Sequence, residues 1–142
     1  MIFRTLLAII AACSLTSPLV AQDTAPVTHA AAWAAPDREL MVPVEGGKVY
    51  VRINGDIAAR DRTPAIFIHG GPGGTHLGFA RFLGLADERP IILYDQLGSG
   101  KSDRPDNPAN WRVERFVEEL EAIRSAVGAE KLHLVGHSWG SA

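Results

Sequence analysis

The sequence predicts an α/β fold built on a mostly parallel sheet. Three observations carry that reading. Ala65–Ile68, Ile91–Tyr94 and Leu132–Val135 are continuous apolar runs without polar alternation, the pattern of strands covered on both faces. Helix-prone stretches separate them, and alternating strands and helices build a parallel sheet. A Gly-rich loop follows each run, and in such sheets ligands collect beyond the carboxyl ends of the strands.

Length and composition fit this architecture. The chain has 142 residues, of which 46% are hydrophobic and 21% charged, enough for one domain with a sizeable core. Its net charge of −2, with no basic stripe, gives nucleic-acid binding no electrostatic support. Cys13 is the one cysteine, so neither a disulfide framework nor a cysteine-based metal site can be built.

Residues 1–21 read as an export signal. Arg4 supplies the positive start, Leu6 to Ala12 the apolar run, and Leu19-Val20-Ala21 a cleavage site after Ala21. Leucine at the first position of that site departs from the small-residue rule. The expected destination is the periplasm or the exterior. Ile10-Ala11-Ala12-Cys13 resembles a bacterial lipobox, which makes Cys13 a candidate lipidation site. The apolar run is short for a bilayer span, so no stable membrane span is expected in the mature chain. Residues 22–38 are rich in Ala and Pro and read as a linker, leaving residues 39–142 as the folded part.

Within that part the elements follow in order. Leu40–Val44 and Lys48–Ile53 flank Glu45-Gly46-Gly47 and predict an antiparallel hairpin. Thr75 to Ala86 is a weakly periodic helical stretch, with Leu77, Ala80, Phe82 and Leu83 as its apolar residues. Trp111 to Val127 is a clearer one. Val113, Phe116, Val117, Leu120, Ile123 and Val127 recur at helical spacing. Arg112, Glu114, Arg115, Glu118, Glu119, Glu121 and Arg124 are assigned to its solvated face. Gly128 supplies the helix stop.

The loops carry the chemistry. Gly136-His137-Ser138-Trp139-Gly140 is Gly-x-Ser-x-Gly after an apolar strand, the pattern of a nucleophile elbow. The strand ends, the chain turns sharply, and Ser138 is held out at the turn. Gly136 and Gly140 let the flanking elements approach closely. His69-Gly70-Gly71-Pro72-Gly73-Gly74 lets the main chain approach a ligand without Cβ interference. Acyl transfer needs N–H donors aimed at the developing oxyanion, and the amides of Gly71 and Trp139 are the candidates. His69 reads as a loop anchor, because the general base follows the nucleophile in this chain order. Asp95-Gln96-Leu97-Gly98-Ser99-Gly100-Lys101-Ser102 ends like a phosphate-binding loop but lacks the glycine five before the lysine. Asp95 is instead expected to bond its own loop backbone. His133 and His137 lack the Glu of a zinc site, so no metal is expected. His29 and His76 show no partner pattern.

Taken together, His69–Gly74, Asp95–Ser102 and Gly136–Ser141 resemble the proline iminopeptidase branch of the α/β-hydrolase fold. HGGPGG and the DQxGxGxS loop are the specific parts. The resemblance covers roughly residue 39 onward and implies a serine hydrolase that removes N-terminal residues, often proline, from peptides. It matches Ser138 to the nucleophile and Gly71 and Trp139 to the oxyanion donors. It implies no cofactor. Leu97 stands where many relatives carry arginine. The family's catalytic Asp and His, its cap domain and its amine-binding acids lie beyond the nucleophile, so the expectation is the N-terminal portion of a longer hydrolase, inactive alone. Leu132–Val135 would then form an apolar sheet edge. An esterase or other hydrolase on the same scaffold and a noncatalytic binding domain are the alternatives.

Overall fold

The computed structural model describes residues 34–59, 61–71 and 73–142. The expected export signal, Cys13, His29 and most of the expected linker lie outside them.

Strands β1 (Arg38–Val44) and β2 (Gly47–Asn54) form the hairpin, paired antiparallel from Arg38↔Ile53 to Val44↔Gly47. Gly46 has a φ of 90° at the turn, a conformation that costs glycine little and other residues more. The end of the expected linker is tied to this hairpin. Ala34 and Ala35 carbonyls accept from the side chains of Arg52 and Asn54, and the Asp37 amide donates to Ile53 O. Strands β3 (Ala65–Ile68), β4 (Ile91–Tyr94) and β5 (His133–Gly136) complete a sheet of order β1-β2-β4-β3-β5. β3 lies parallel to both β4 and β5, and β2 meets β4 antiparallel. A mixed sheet with a parallel centre is thus the α/β architecture that the apolar runs predict.

β3 and β4 are buried on both faces, for the reason their composition gives. Ile66, Ile68, Ile92 and Tyr94 pack into one core with β2 and the helix, while Ala65, Phe67, Ile91 and Leu93 pack into a second beneath His76–Asp87. Because side chains alternate across a strand, an uninterrupted apolar run supplies both cores at once. Each such isoleucine or leucine contributes about 1.5–3 kcal/mol when fully buried.

β5 is exposed along its whole length, Leu134 at 60%, because it is an edge strand paired only with β3; this is the apolar sheet edge expected of Leu132–Val135 in an N-terminal portion. Two other expectations need correction. The stretch after the glycine loop forms 3₁₀ turns over His76–Asp87 instead of an α-helix. Its apolar periodicity is weak, and Gly78 and Gly84 lower helix propensity. Finally, helix α1 (Val113–Val127) buries Arg115, Glu119, Ile123 and Val127, each four residues apart. Arg115 and Glu119 do not belong to a solvated face, whereas Val113 and Val117 are 45% and 60% exposed.

Arg115 can be buried because its charge is held. Its Nη1 donates to Glu119 Oε2 at 2.6 Å, its Nε donates to Asn110 O at 2.7 Å, and its guanidinium stacks on Phe116 at 4.1 Å. The Leu97 amide also donates to Glu119 Oε2. Burial pushes the Glu119 carboxyl above its ordinary range, opposed by Arg115. Gly128 ends the helix at a φ of 75° and donates to Arg124 and Ser125 carbonyls, a left-handed stop suited to glycine. Among the described residues no helix is long and apolar enough to cross a membrane.

Removing one partner of a buried ion pair leaves the other charge uncompensated. Glu119→Ala should therefore destabilise the fold by about 3–5 kcal/mol, read as a lower urea midpoint. The double change Arg115→Met with Glu119→Leu should recover most of that loss.

Candidate active site

The loops after β3, β4 and β5 meet at one end of the sheet, since parallel neighbours place their carboxyl ends side by side. Ser138 leads the loop after β5. It is exposed, and its φ of 54° makes it the one described non-glycine residue at positive φ. An L-residue in that region costs about 1–2 kcal/mol, so the surroundings must hold it there. They do so by close contact. A Cβ at Gly136 would run into the Gly140 carbonyl, and a Cβ at Gly140 would run into the Ile68 carbonyl. The His137 amide donates to Ile68 O at 3.1 Å, and the Gly140 amide donates to His137 O at 3.0 Å. A single 3₁₀ turn, Ser138–Ser141, follows.

The glycine loop lies against this turn. A Cβ at Gly70 would stand 2.8 Å from Ser138 Cβ. Gly71 has a φ of 126° and Gly73 a φ of 94°, both reserved in practice for glycine. Ser138, Gly70, Gly71 and Gly74 line one open cleft of about 650 Å3, with Phe79 and Phe82 on its wall. Trp139 is turned away toward a second hollow, edge-on to Phe116 at 5.7 Å between ring centres.

His69 and Asp95 hold these loops from below. His69 is 3% exposed. Its Nε2 accepts from the Gln96 amide at 3.0 Å and lies 3.2 Å from Ser99 Oγ. A main-chain N–H can only donate, so Nε2 carries no proton and Nδ1–H donates to Gly70 O at 2.9 Å. Gln96 Nε2 returns a bond to His69 O. Burial pushes the His69 imidazole below its ordinary value of 6.5, against the opposing bond to Gly70.

Asp95 is fully buried. Its Oδ2 accepts from the Lys101 amide at 2.9 Å within its own loop, and its Oδ1 accepts from both the amide and Nδ1 of His76, at 2.7 and 2.9 Å. Burial alone would raise its carboxyl, but the bonds from His76 and Lys101 outweigh it and hold the group below 3.8. His76 therefore has a partner after all. The pair is nineteen residues apart in sequence, and no local spacing announces it. Gln96 and Ser99 likewise enter the site only through the fold. A Cβ at Gly100 would overlap the Asp95 carboxylate, so the glycine-rich tail of this loop serves a tight turn around Asp95.

A sheet with this order, an exposed serine on a strained turn after β5 and a glycine loop after β3 define a class of protein. The family model described as the alpha/beta hydrolase fold matches residues 63–142, and the chain belongs to that family. It is 53% identical over 79 residues to a proline iminopeptidase of Heyndrickxia coagulans, covering 56% of this chain and 27% of that protein. It is 44% identical over 101 residues to a proline iminopeptidase of Lactiplantibacillus plantarum, covering 70% and 35%. The crystal structure of the proline iminopeptidase from Mycobacterium smegmatis superposes with a TM-score of 0.62 at 38% identity, over 72% of this chain and 36% of that one. The chain thus spans 27–35% of the length of these curated relatives.

Strain at Ser138 has a measurable signature. Ser138→Gly should be more stable than Ser138→Ala by about 1 kcal/mol, the reverse of the usual order, when both are unfolded in urea. Crowding at Gly140 should cost Gly140→Ala at least about 1–3 kcal/mol. Gly78→Ala, whose Cβ would meet nothing within 4 Å, should cost nothing.

The His69 imidazole predicts a pH dependence. Below 6.5 the unfolded chain takes up a proton that the folded site refuses. Stability should therefore fall as pH drops from about 7 to about 5. His69→Gln should show a shallower loss over that window. An equal slope in both proteins would contradict the assignment of Nε2 as acceptor.

Proposed function

We propose that this chain carries the nucleophile and oxyanion donors of a serine hydrolase of the proline iminopeptidase type. Such an enzyme removes N-terminal residues, proline among them, from small peptides through an acyl-enzyme. The observation that carries the reading is Ser138, exposed at a φ of 54° between two glycines that admit no Cβ. Similarity to proteins named proline iminopeptidase supports the substrate class.

In this mechanism Ser138 Oγ attacks the scissile carbonyl carbon, and the amides of Gly71 and Trp139 receive the oxyanion. Each such donor is worth about 3–4 kcal/mol in the transition state. Collapse of the tetrahedral intermediate expels the leaving amine and leaves the acyl group on Ser138; water then releases it. A serine hydroxyl needs a base to take its proton. His69 cannot serve, since its Nε2 is already filled by the Gln96 amide and its Nδ1 by the Gly70 carbonyl. In the chain order of this motif the base and its carboxylate partner follow the nucleophile, and we assign those roles to neither His69 nor Asp95. We place the working enzyme in the periplasm or the exterior, after removal of residues 1–21 or lipidation at Cys13.

Two measurements test this. A fluorophosphonate probe should label Ser138 in the natural full-length protein, and labelling that survives Ser138→Ala would overturn the assignment. Residues 1–142 alone should turn over a prolyl arylamide no faster than about 10³–10⁴ times the rate in water. Turnover matching an intact hydrolase would refute the claim that the base lies elsewhere.

A further inference from the structure

The far end of the glycine loop is held twice at one point. Asp95 Oδ1 accepts from the His76 amide at 2.7 Å and from His76 Nδ1 at 2.9 Å. The amide bond alone would tether the main chain there. It would leave the residue free to rotate about that bond. The imidazole adds a second attachment to the same oxygen, and two attachments fix an orientation as well as a position.

The His76 ring is fixed on its face too. Tyr50 of β2 packs against it, with ring centres 5.1 Å apart and planes at 49°. Lys101 Nζ lies 4.3 Å from the centre of the Tyr50 ring and donates to its hydroxyl at 3.3 Å. The Lys101 amide donates to the other oxygen of Asp95. Asp95, His76, Tyr50 and Lys101 thus close a circuit of contacts. Asp95 is also tied to β2 through its main chain. Its amide donates to Tyr50 O at 3.0 Å, and its carbonyl accepts from Ser102 Oγ, which accepts from the Tyr50 amide. His76, Asp95 and Tyr50 are all buried. Packing of further chain onto the molecule can only deepen that burial.

Little slack separates this circuit from the Gly71 amide. A Cβ at Gly71 would stand 2.7 Å from the nitrogens of Gly73 and Gly74, and a Cβ at Gly74 would run into the Gly70 carbonyl. The loop is therefore folded on itself, backbone against backbone. From Gly74 one extended residue, Thr75 (φ −141°, ψ 163°), leads to His76. A shift of His76 passes to Gly74 and on to Gly70 and Gly71, where no side chain can absorb it. Donors that serve a transition state need such support from residues whose own rotamers are locked.

We propose that His76 is a positioning residue for hydrolysis at Ser138: by its side-chain bond to Asp95 it orients the glycine loop so that the Gly71 amide faces the developing oxyanion. The proposal rests on the serine hydrolase reading. His76 touches no reacting atom. It acts where negative charge appears and leaves binding of the neutral substrate unaltered.

Full-length enzyme carrying His76→Ala, His76→Asn or His76→Gln tests it, with a prolyl arylamide as substrate and pyrrolidine-2-boronic acid as inhibitor. The boronic acid forms a tetrahedral anion on Ser138 and so reports complementarity to the transition state. A displacement of about 1 Å costs about 10²-fold in rate. His76→Ala should therefore lose about 10²-fold in kcat and in boronate affinity, with KM within about twofold of the parent. An Asn amide can place an N–H where Nδ1 stands, whereas the longer Gln amide reaches the place of Nε2. His76→Asn should restore kcat to within about threefold of the parent, and His76→Gln should stay near His76→Ala. If His76→Ala does not fold, the contrast between Asn and Gln decides. An unchanged kcat in His76→Ala, a loss carried wholly by KM, equal kcat in the Asn and Gln variants, or boronate affinity that does not follow kcat would each overturn the role. Fluorophosphonate labelling of the parent keeps the two failures apart. An unlabelled Ser138 removes the hydrolase reading and this role with it; a labelled, active parent whose kcat ignores His76 removes the role alone.

Discussion

The contact on which the site depends is the approach of the Gly140 backbone to the Ile68 carbonyl. No Cβ fits between them, nor between Gly136 and Gly140. That closeness forces the chain to turn within a few residues of the end of β5. Ser138 is left at the apex with a positive φ, and the cost of that conformation is met by the bonds of His137 and Gly140 on either side. Such strain persists only where the surroundings over-determine it. Here the surroundings are two backbones pressed together and a glycine loop packed against the serine side chain.

That glycine loop is itself rigid for a reason remote from it. Its ends are gripped by adjacent residues of one other loop. Gln96 holds His69, and Asp95 holds His76. Glycines without such anchors would sample many conformations, and the proposed oxyanion donors would lose their advantage if they had to reorient at the moment of reaction. A buried carboxylate and a buried neutral imidazole thus convert a flexible sequence into a fixed backbone. Asp95 is an anion deep in the fold, and it is tolerable because three hydrogen bonds reach its carboxylate, from the amides of His76 and Lys101 and from His76 Nδ1.

The same economy shapes helix α1. Burying Arg115 and Glu119 at consecutive turns is an expensive arrangement by desolvation alone. It braces Phe116 and meets the Leu97 amide, so the ion pair lies behind the aromatic hollow. Core, loop and hollow are therefore coupled through one pair of charges that the amphipathic pattern of the helix conceals.

The sequence by itself determined the strands β3 and β4 to the residue, the hairpin, the helix end at Gly128 and the elbow spacing. Each rests on local rules: apolar runs for strands buried on both faces, glycine for positive φ, a fixed pattern for a sharp turn. Tertiary structure alone decided which charges are buried and which histidines have partners. His76 meets Asp95, and His69 meets Gln96, across loops far apart in the chain. Arg115 and Glu119 face inward where helical spacing put them outward, while Val117 faces out. Periodicity reports how many faces an element has. It does not report which polar group will find a partner inside, because that depends on atoms delivered by another part of the chain.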